Sequence, residues 1–211
     1  MGAYVESVNT GRIREVPWGS LRRSAIDKRP VEGAVAVTPY GLAGDEIADL
    51  RHHGGLDQAV YAYAAEDLEA WASELGRELR HGQFGENLTT RGVDVTGSRI
   101  GERWRVGTTL LEVCSVRTPC RVFAGFLDEQ RWARRFTERG VPGAYLRVVE
   151  PGDLSAGDAI DVVDVPAHDV TVGMVFRALT TERTLLPRLL EAPAVAAEAR
   201  EKAERYVAAE A

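Results

Sequence analysis

Apolar and polar residues alternate in short segments over the first 165 residues, a pattern typical of β-strands with one buried face. The alternation is clear at Val113 in segment 110–116, and at Leu146 and Val148 in segment 144–149. Gly-Asp pairs separate several segments and predict turns. The predicted strands span 34–38, 59–63, 87–90, 103–106, 110–116, 144–149 and 159–165. They predict a mainly β (α+β) fold whose sheet is barrel-like or sandwich-like.

Helical spacing of large apolar residues predicts two helices within this β body, over 66–79 and 128–139. The first places four apolar side chains on one face: Leu68, Trp71, Leu75 and Leu79. The second begins at Asp128, a candidate N-cap, and ends at Gly140.

The pattern changes after position 165, where helical spacing replaces alternation. We predict three helices here, the first capped by Asp169, the second by Thr181, and the third over 194–211. This divides the chain into a domain over 1–165 and a small helical domain over 166–211. A unit of this size is marginal alone, so its leucines are expected to pack on the β body or on a second copy in a homodimer.

The composition is ordinary for a globular protein, with 45% hydrophobic residues among 211 and a net charge of −6. The acidic balance argues against non-specific nucleic-acid binding. No apolar run approaches the roughly 20 residues that span a bilayer, and no secretory signal is visible. We therefore expect a cytoplasmic protein that has no membrane partner and keeps its two cysteines as free thiols.

Cys120 lies in the segment Arg117-Thr118-Pro119-Cys120-Arg121, directly after a predicted strand. Positive charge on both sides favours a thiolate, the form that attacks electrophiles or binds a soft metal. A buried structural cysteine is the alternative, but the flanking arginines favour a functional role. Cys114 lies in the middle of a predicted strand and is interpreted as part of the core.

His53 precedes Gly54 and Gly55, whose backbone freedom lets a ligand approach closely. A lone histidine is commonly a hydrogen-bonded structural residue, but this setting favours a functional role for His53. Lys28 carries no supporting pattern, and on its own it would be interpreted as a solvated surface lysine.

Glu86 and Asn87 follow the flexible Gly85 in the segment Phe84-Gly85-Glu86-Asn87-Leu88. A carboxylate and an amide at this spacing can hydrogen-bond a polar ring, and they can equally fix a β turn. The sequence leaves both interpretations open.

Six motifs occur in the order that is typical of one known family: Ala25-Ile26-Asp27-Lys28, Gly41-Leu42-x-Gly44-Asp45, His53-Gly54-Gly55-x-Asp57, Phe84-Gly85-Glu86-Asn87-Leu88, Arg117-Thr118-Pro119-Cys120, and Pro151-Gly152 through Ala156-Gly157-Asp158. Together they resemble the MOSC domain, named for the C-terminal part of molybdenum cofactor sulfurases, in its YiiM-like branch. The resemblance covers residues 1–165. The tail from Asp169 resembles the three-helix domain that follows MOSC in the same branch.

This resemblance implies a barrel-like body that binds molybdenum cofactor and reduces N-hydroxylated bases and related compounds. It also implies a separate protein as electron donor. Cys120 matches the family's expected molybdenum ligand, and Lys28 and His53 match the lysine and histidine beside it.

The chemistry of an anionic pterin with a phosphate agrees with these expectations. A thiolate at Cys120 would supply the soft protein ligand of the metal. The phosphate would be neutralised by a cation, for which the candidates are Arg117, Arg121, Lys28 and Arg51. Glu86 or Asn87 would contact the pterin edge, Gly54 and Gly55 would let the cofactor come close, and His53 would deliver a proton.

Two further functions fit the same residues. One is a carrier that holds molybdenum cofactor, or a persulfide on Cys120, and passes it on without turnover. The other is a metal-free enzyme in which Cys120 is the nucleophile and His53 its base.

Overall fold

A computed structural model describes residues 2–50 and 53–210 of the chain. Its largest feature is a sheet of eight strands, with a three-stranded and a two-stranded sheet beside it. The strands are β1 Tyr4–Thr10, β2 Arg14–Glu15, β3 Arg23–Ser24, β4 Arg29–Pro30, β5 Val35–Thr38, β6 Gly41–Leu42, β7 Val60–Ala64, β8 Leu88–Arg91, β9 Arg103–Val106, β10 Thr109–Val116, β11 Ala144–Glu150, β12 Gly152–Leu154 and β13 Ile160–Asp164.

The large sheet has the order β13-β9-β10-β11-β7-β8-β1-β4, and its neighbours are antiparallel except for the parallel pair β7–β8. Its two ends approach each other through a bridge between Tyr4 and Ala159. Backbone hydrogen bonds reinforce the bridge, including Val5 N–H to Asp158 O at 2.9 Å. The sheet thus curls toward itself without a complete closing ladder, which confirms the α+β class with a barrel-like body.

All seven predicted strands are present, and their ends agree with the prediction to within one residue. Strand β1 was not predicted, because a bulge between Val5 and Ser7 interrupts its alternation and two of its buried residues, Ser7 and Asn9, are polar. The expectation of one buried face is wrong for β10, which is buried at seven of its eight positions, and for β7, which is buried throughout and pairs in parallel with β8.

Three helices lie beside the sheet: α1 Ala65–Leu75, α2 Arg121–Leu127 and α3 Trp132–Arg139. Helix α1 ends earlier than predicted, since Gly76 adopts a left-handed conformation there. The prediction that Asp128 caps α3 is wrong. Asp128 instead ends the unpredicted helix α2, with a positive φ of 53°.

The C-terminal region contains α4 Val172–Thr180, a 3-10 helix over Arg183–Glu191 and α5 Ala197–Glu210. Two predicted caps are wrong. Thr171, not Asp169, caps α4 by accepting a hydrogen bond from Met174 N–H at 3.2 Å. Thr181 does not cap the next helix but ends α4, and the second helix is a 3-10 helix that contains Pro187.

The C-terminal helices pack on the β body, as the apolar positions predict. Leu186 and Leu189 are buried in the same hydrophobic cluster as the sheet. A backbone hydrogen bond of 2.9 Å joins Ala196 N–H to Cys114 O on β10. The domain boundary at 165 and the homodimer remain predictions. Within the described residues, no helix has both the length and the apolar character needed to cross a membrane.

An aromatic cluster joins the helices beneath the site, and Phe136 lies at its centre. Its ring is within 5.7 Å, centroid to centroid, of Phe123 and Trp132, and it meets Phe176 of α4 edge-on at 6.0 Å. These contacts connect α2, α3 and α4, so the cluster supports the segment that carries Cys120.

We expect Phe136→Ala to lower the free energy of unfolding by about 3–5 kcal/mol, because it leaves a cavity in this cluster. Urea unfolding followed by tryptophan fluorescence measures the change. Tyr40→Ala is the matched control, since Tyr40 is 70% exposed, and it should change stability by less than about 0.5 kcal/mol. Equal changes in the free energy of unfolding for the two variants would contradict the position of Phe136 in a buried aromatic cluster.

Candidate functional site

Two adjoining cavities open beside the N-terminus of α2. The inner cavity has a volume of about 140 Å³ and the outer one about 990 Å³. They share part of their lining, including His53, Gly54, Gln58, Arg117 and Tyr145. The inner cavity also contacts the buried Lys28 and the outer one the partly exposed Cys120, so a cation and a thiol line adjoining cavities.

Cys120 lies at the N-cap of α2, not in a free loop. Its Sγ accepts a hydrogen bond from Phe123 N–H at 3.4 Å. The thiol is partly exposed, and it lines the outer cavity with Arg121.

Arg117 is buried and lies at the junction of the two cavities. Its guanidinium stacks 4.4 Å from the centroid of the Phe123 ring and 5.2 Å from that of Tyr61. Its Nε atom is buried and has no hydrogen-bond partner among the described residues. Arg121, by contrast, is exposed. The two arginines that flank Cys120 in sequence therefore occupy different environments.

Lys28 forms a buried ion pair with Asp45, with side chains 10% and 9% exposed. Burial lowers the pKa of Lys28, and the Asp45 carboxylate opposes this effect. The other contacts of Asp45 are hydrogen bonds from Gly11 N–H at 2.7 Å and from Asn87 Nδ2 at 2.9 Å. Lys28 is thus not a solvated surface residue, and Asp45 holds it at the inner cavity.

Glu86 fixes the turn that precedes β8. Its carboxylate is fully buried and accepts hydrogen bonds from the backbone N–H groups of Gly82 and Phe84 and from the Thr89 hydroxyl. Burial raises its pKa, and these hydrogen bonds oppose the rise. Of the two open interpretations, the structure supports the turn for Glu86.

Asn87 also links backbone segments, since its Oδ1 accepts a hydrogen bond from Tyr61 N–H at 3.1 Å. Unlike Glu86, it lines the inner cavity. Its Nδ2 donates to Asp45, so Asn87 and Lys28 share one carboxylate. A cofactor contact for Glu86 or Asn87 stays a prediction.

His53 is exposed and lines both cavities. Its backbone N–H donates to Asp49 O at 3.0 Å. Gly54 and Gly55 follow with φ values of 84° and 77°, a conformation that strongly favours glycine. Arg51, a predicted phosphate contact, lies outside the described residues.

Asp57 connects this glycine motif to the C-terminal helix. Its Oδ1 accepts a hydrogen bond from Arg147 Nη2 at 2.6 Å, and its Oδ2 accepts one from Ala197 N–H at 3.1 Å at the start of α5. Helix α5 then contributes Glu198 and Lys202 to the outer cavity. The C-terminal region therefore forms one wall of the site, which the sequence did not indicate.

The hairpin of β2 and β3 also contributes to the lining of both cavities. Its Leu21 lines the inner cavity, and its tip residue Trp18 packs 6.1 Å from the Phe126 ring, centroid to centroid. Trp18 sits where a side chain at Gly125 would be, because a Cβ there would lie 2.5 Å from the indole ring. Gly125, in the middle of α2, thus leaves space for the indole ring of Trp18 from the hairpin.

Cys114 is a core residue, as predicted, and it is fully buried. Its Sγ lies 3.2 Å from Asp57 O, and burial raises the pKa of its thiol to about 12. Both cysteines are free thiols, which confirms the expectation from the sequence.

A strongly curved sheet with a thiol and buried cations at one cleft defines the class of protein. The MOSC domain matches residues 49–161, more than half of the chain. The chain therefore belongs to the MOSC domain family, as its six motifs predict.

Individual relatives agree with this assignment. The chain is 34% identical over 172 residues to Protein YiiM of Escherichia coli, covering 80% of this chain and 75% of that protein. It is 31% identical over 188 residues to a protein named Reductase of Gibberella moniliformis, covering 87% of this chain and 33% of that protein. The crystal structure of YiiM from Geobacillus stearothermophilus superimposes with a TM-score of 0.81 at 26% identity, covering 96% of this chain and 98% of that one.

We expect Asp45→Asn to lower the free energy of unfolding by about 3–5 kcal/mol, because Lys28 keeps its charge in a buried place without its counter-ion. In the folded variant the pKa of Lys28 falls further below its unfolded value, so the unfolded chain holds more protons. The difference in the free energy of unfolding between wild type and Asp45→Asn should therefore shrink as the pH rises toward 10. Urea titrations at several pH values measure it.

Glu46→Gln is the matched control, since Glu46 is a half-exposed neighbour that pairs with Arg12 at 3.1 Å and accepts a hydrogen bond from Ile13 N–H at 2.7 Å. It should cost less than about 1 kcal/mol. An Asp45→Asn variant as stable as this control would contradict the buried-pair assignment.

Iodoacetamide at pH 8 should modify Cys120 alone in the native protein, because Cys114 is buried and its thiolate is suppressed. Mass spectrometry should find one adduct on the native protein and two after unfolding in urea. Cys120→Ser should show none before unfolding. Rapid native modification of Cys114 would be inconsistent with its position in the core.

Proposed function

We propose that this protein binds molybdenum cofactor and reduces N-hydroxylated bases and related compounds, with electrons from a separate donor protein. Membership of the MOSC family and the likeness to a relative named Reductase support an oxidoreductase. The proposed cofactor and substrate depend on the geometry of the cleft.

The observation that carries the proposal is the buried charge of Arg117. Among the described residues no carboxylate pairs with it, and its Nε has no partner. A buried charge is costly unless an opposite charge or a strong acceptor meets it. An anionic ligand in the cleft would supply both.

The other groups around the cleft fit the same ligand. Lys28 adds a second buried cation at the inner cavity, and Arg121 adds an exposed one near Cys120. A thiol beside these cations is a suitable ligand for a soft metal. Lys28, Arg117 and Arg121 would bind the anionic parts of a pterin cofactor, and Cys120 would hold its metal.

Molybdenum cofactor would supply the two-electron redox chemistry of this reaction. Reducing an N-hydroxylated compound to the parent amine takes two electrons and two protons, breaks the N–O bond and releases water. His53, which lines both cavities, is the proposed proton donor. The chain has two cysteines, too few for a four-cysteine iron–sulfur cluster, and the proposal therefore includes a separate electron-donor protein.

The test compares wild type, Cys120→Ala and Cys114→Ala, purified from a host that makes the cofactor. We expect near-stoichiometric molybdenum and pterin in wild type and in the Cys114→Ala control. Cys120→Ala should lose most of the molybdenum. With a reduced viologen as donor, wild type should convert an aryl hydroxylamine to the amine, and Cys120→Ala should lose at least about 100-fold in rate, since loss of a metal ligand removes the reacting centre.

Three results would contradict the proposal. Bound cofactor without turnover on several N-hydroxylated compounds would favour a carrier. Turnover by metal-free protein that still requires Cys120 would favour a cysteine enzyme. Equal molybdenum in wild type and Cys120→Ala would exclude Cys120 as the ligand that retains the metal.

A further inference from the structure

Gln58 carries a buried carbonyl without a hydrogen-bond partner. Its Oε1 is inaccessible to solvent, and no donor within the described residues reaches it. A buried acceptor in this state costs free energy, and native proteins rarely keep one without a reason. Gln58 lines both the inner and the outer cavity.

The backbone holds Gln58 in place. It ends the short 3-10 turn Leu56–Gln58, and its N–H donates to Gly55 O at 3.3 Å. Asp57, the residue before it, is tied to Arg147 and to α5. The carboxamide therefore starts from a fixed backbone position between the family's glycine motif and the buried strand β7.

Arg117 presents a complementary group in the same place. Its buried Nε is a donor without a partner, and it lines the same two cavities as Gln58. Two other buried side-chain atoms among the described residues have no hydrogen-bond partner, Thr96 Oγ1 and Trp132 Nε1. Their residues line neither cavity. A residue with an unused acceptor and a residue with an unused donor thus line the same two cavities.

We propose that Gln58 is a positioning residue whose side-chain carbonyl accepts a hydrogen bond from an N–H group of the bound molecule. Arg117 Nε donates to an acceptor atom on the same molecule. This inference rests on the proposed function. Both a pterin and an N-hydroxylated base carry N–H groups beside acceptor atoms, so the experiment must distinguish these two sources.

The test uses Gln58→Leu, which keeps the approximate size of the side chain and removes the carbonyl. Thr96→Val is the matched control, because it removes a buried unpaired hydroxyl away from both cavities. In cofactor-free protein, from a host that cannot make the cofactor, both substitutions should raise Tm, by about 2–4 °C each for a protein of this size. A lower Tm for Gln58→Leu would overturn the inference, since it would reveal a structural partner.

Protein from a cofactor-making host then identifies the ligand. If Gln58 contacts the pterin, Gln58→Leu should lower molybdenum and pterin content at least fivefold. If it contacts the substrate, cofactor content should stay at the wild-type level while KM for an aryl hydroxylamine rises at least fivefold at little change in kcat. Thr96→Val should change neither quantity.

Two failures are distinguishable. In the first, wild type binds cofactor and turns over, and Gln58→Leu stays within twofold of wild type in cofactor content and KM. This result overturns the role of Gln58 and leaves the proposed function intact. Wild type that neither binds cofactor nor turns over overturns both. Gln58→Met provides a second apolar variant if Gln58→Leu fails to fold.

Discussion

The structure of this site depends on burying positive charge at one end of a curved sheet. Two cations lie there, and they are stabilised differently. Lys28 has Asp45 as its counter-ion, and the same carboxylate holds Asn87. Arg117 forms no ion pair within the described residues and stacks on the rings of Tyr61 and Phe123, which contribute less than an ion pair at a buried position. The proposed anionic ligand would bring the negative charge that Arg117 lacks.

The rest of the fold keeps this arrangement in place. Asp57 joins the glycine motif to Arg147 on β11 and to the first turn of α5. Trp18 fixes the hairpin at Gly125, within the helix that Cys120 caps. Residues of the C-terminal helices and of the hairpin thus line the cleft.

Local patterns predicted much of the fold, because alternation and helical spacing depend on neighbouring residues. Strand β1 was missed because a bulge and buried polar residues obscure its alternation. Helix α2 was missed because it is short. The motifs located Cys120, His53 and Lys28 at one cleft. One motif includes Asp45, but it does not show that Asp45 pairs with Lys28, and no motif singles out Gln58. The partners of Asp45 and the cavity beside Gln58 come from distant parts of the chain.

The central claim is that Cys120 ligates the metal of an anionic pterin cofactor in this cleft. X-ray absorption at the molybdenum edge tests it most directly, by counting sulfur ligands in wild type and in Cys120→Ser loaded to equal metal content. Our account predicts one sulfur more in wild type than in the variant. An identical sulfur count in the two proteins would contradict it.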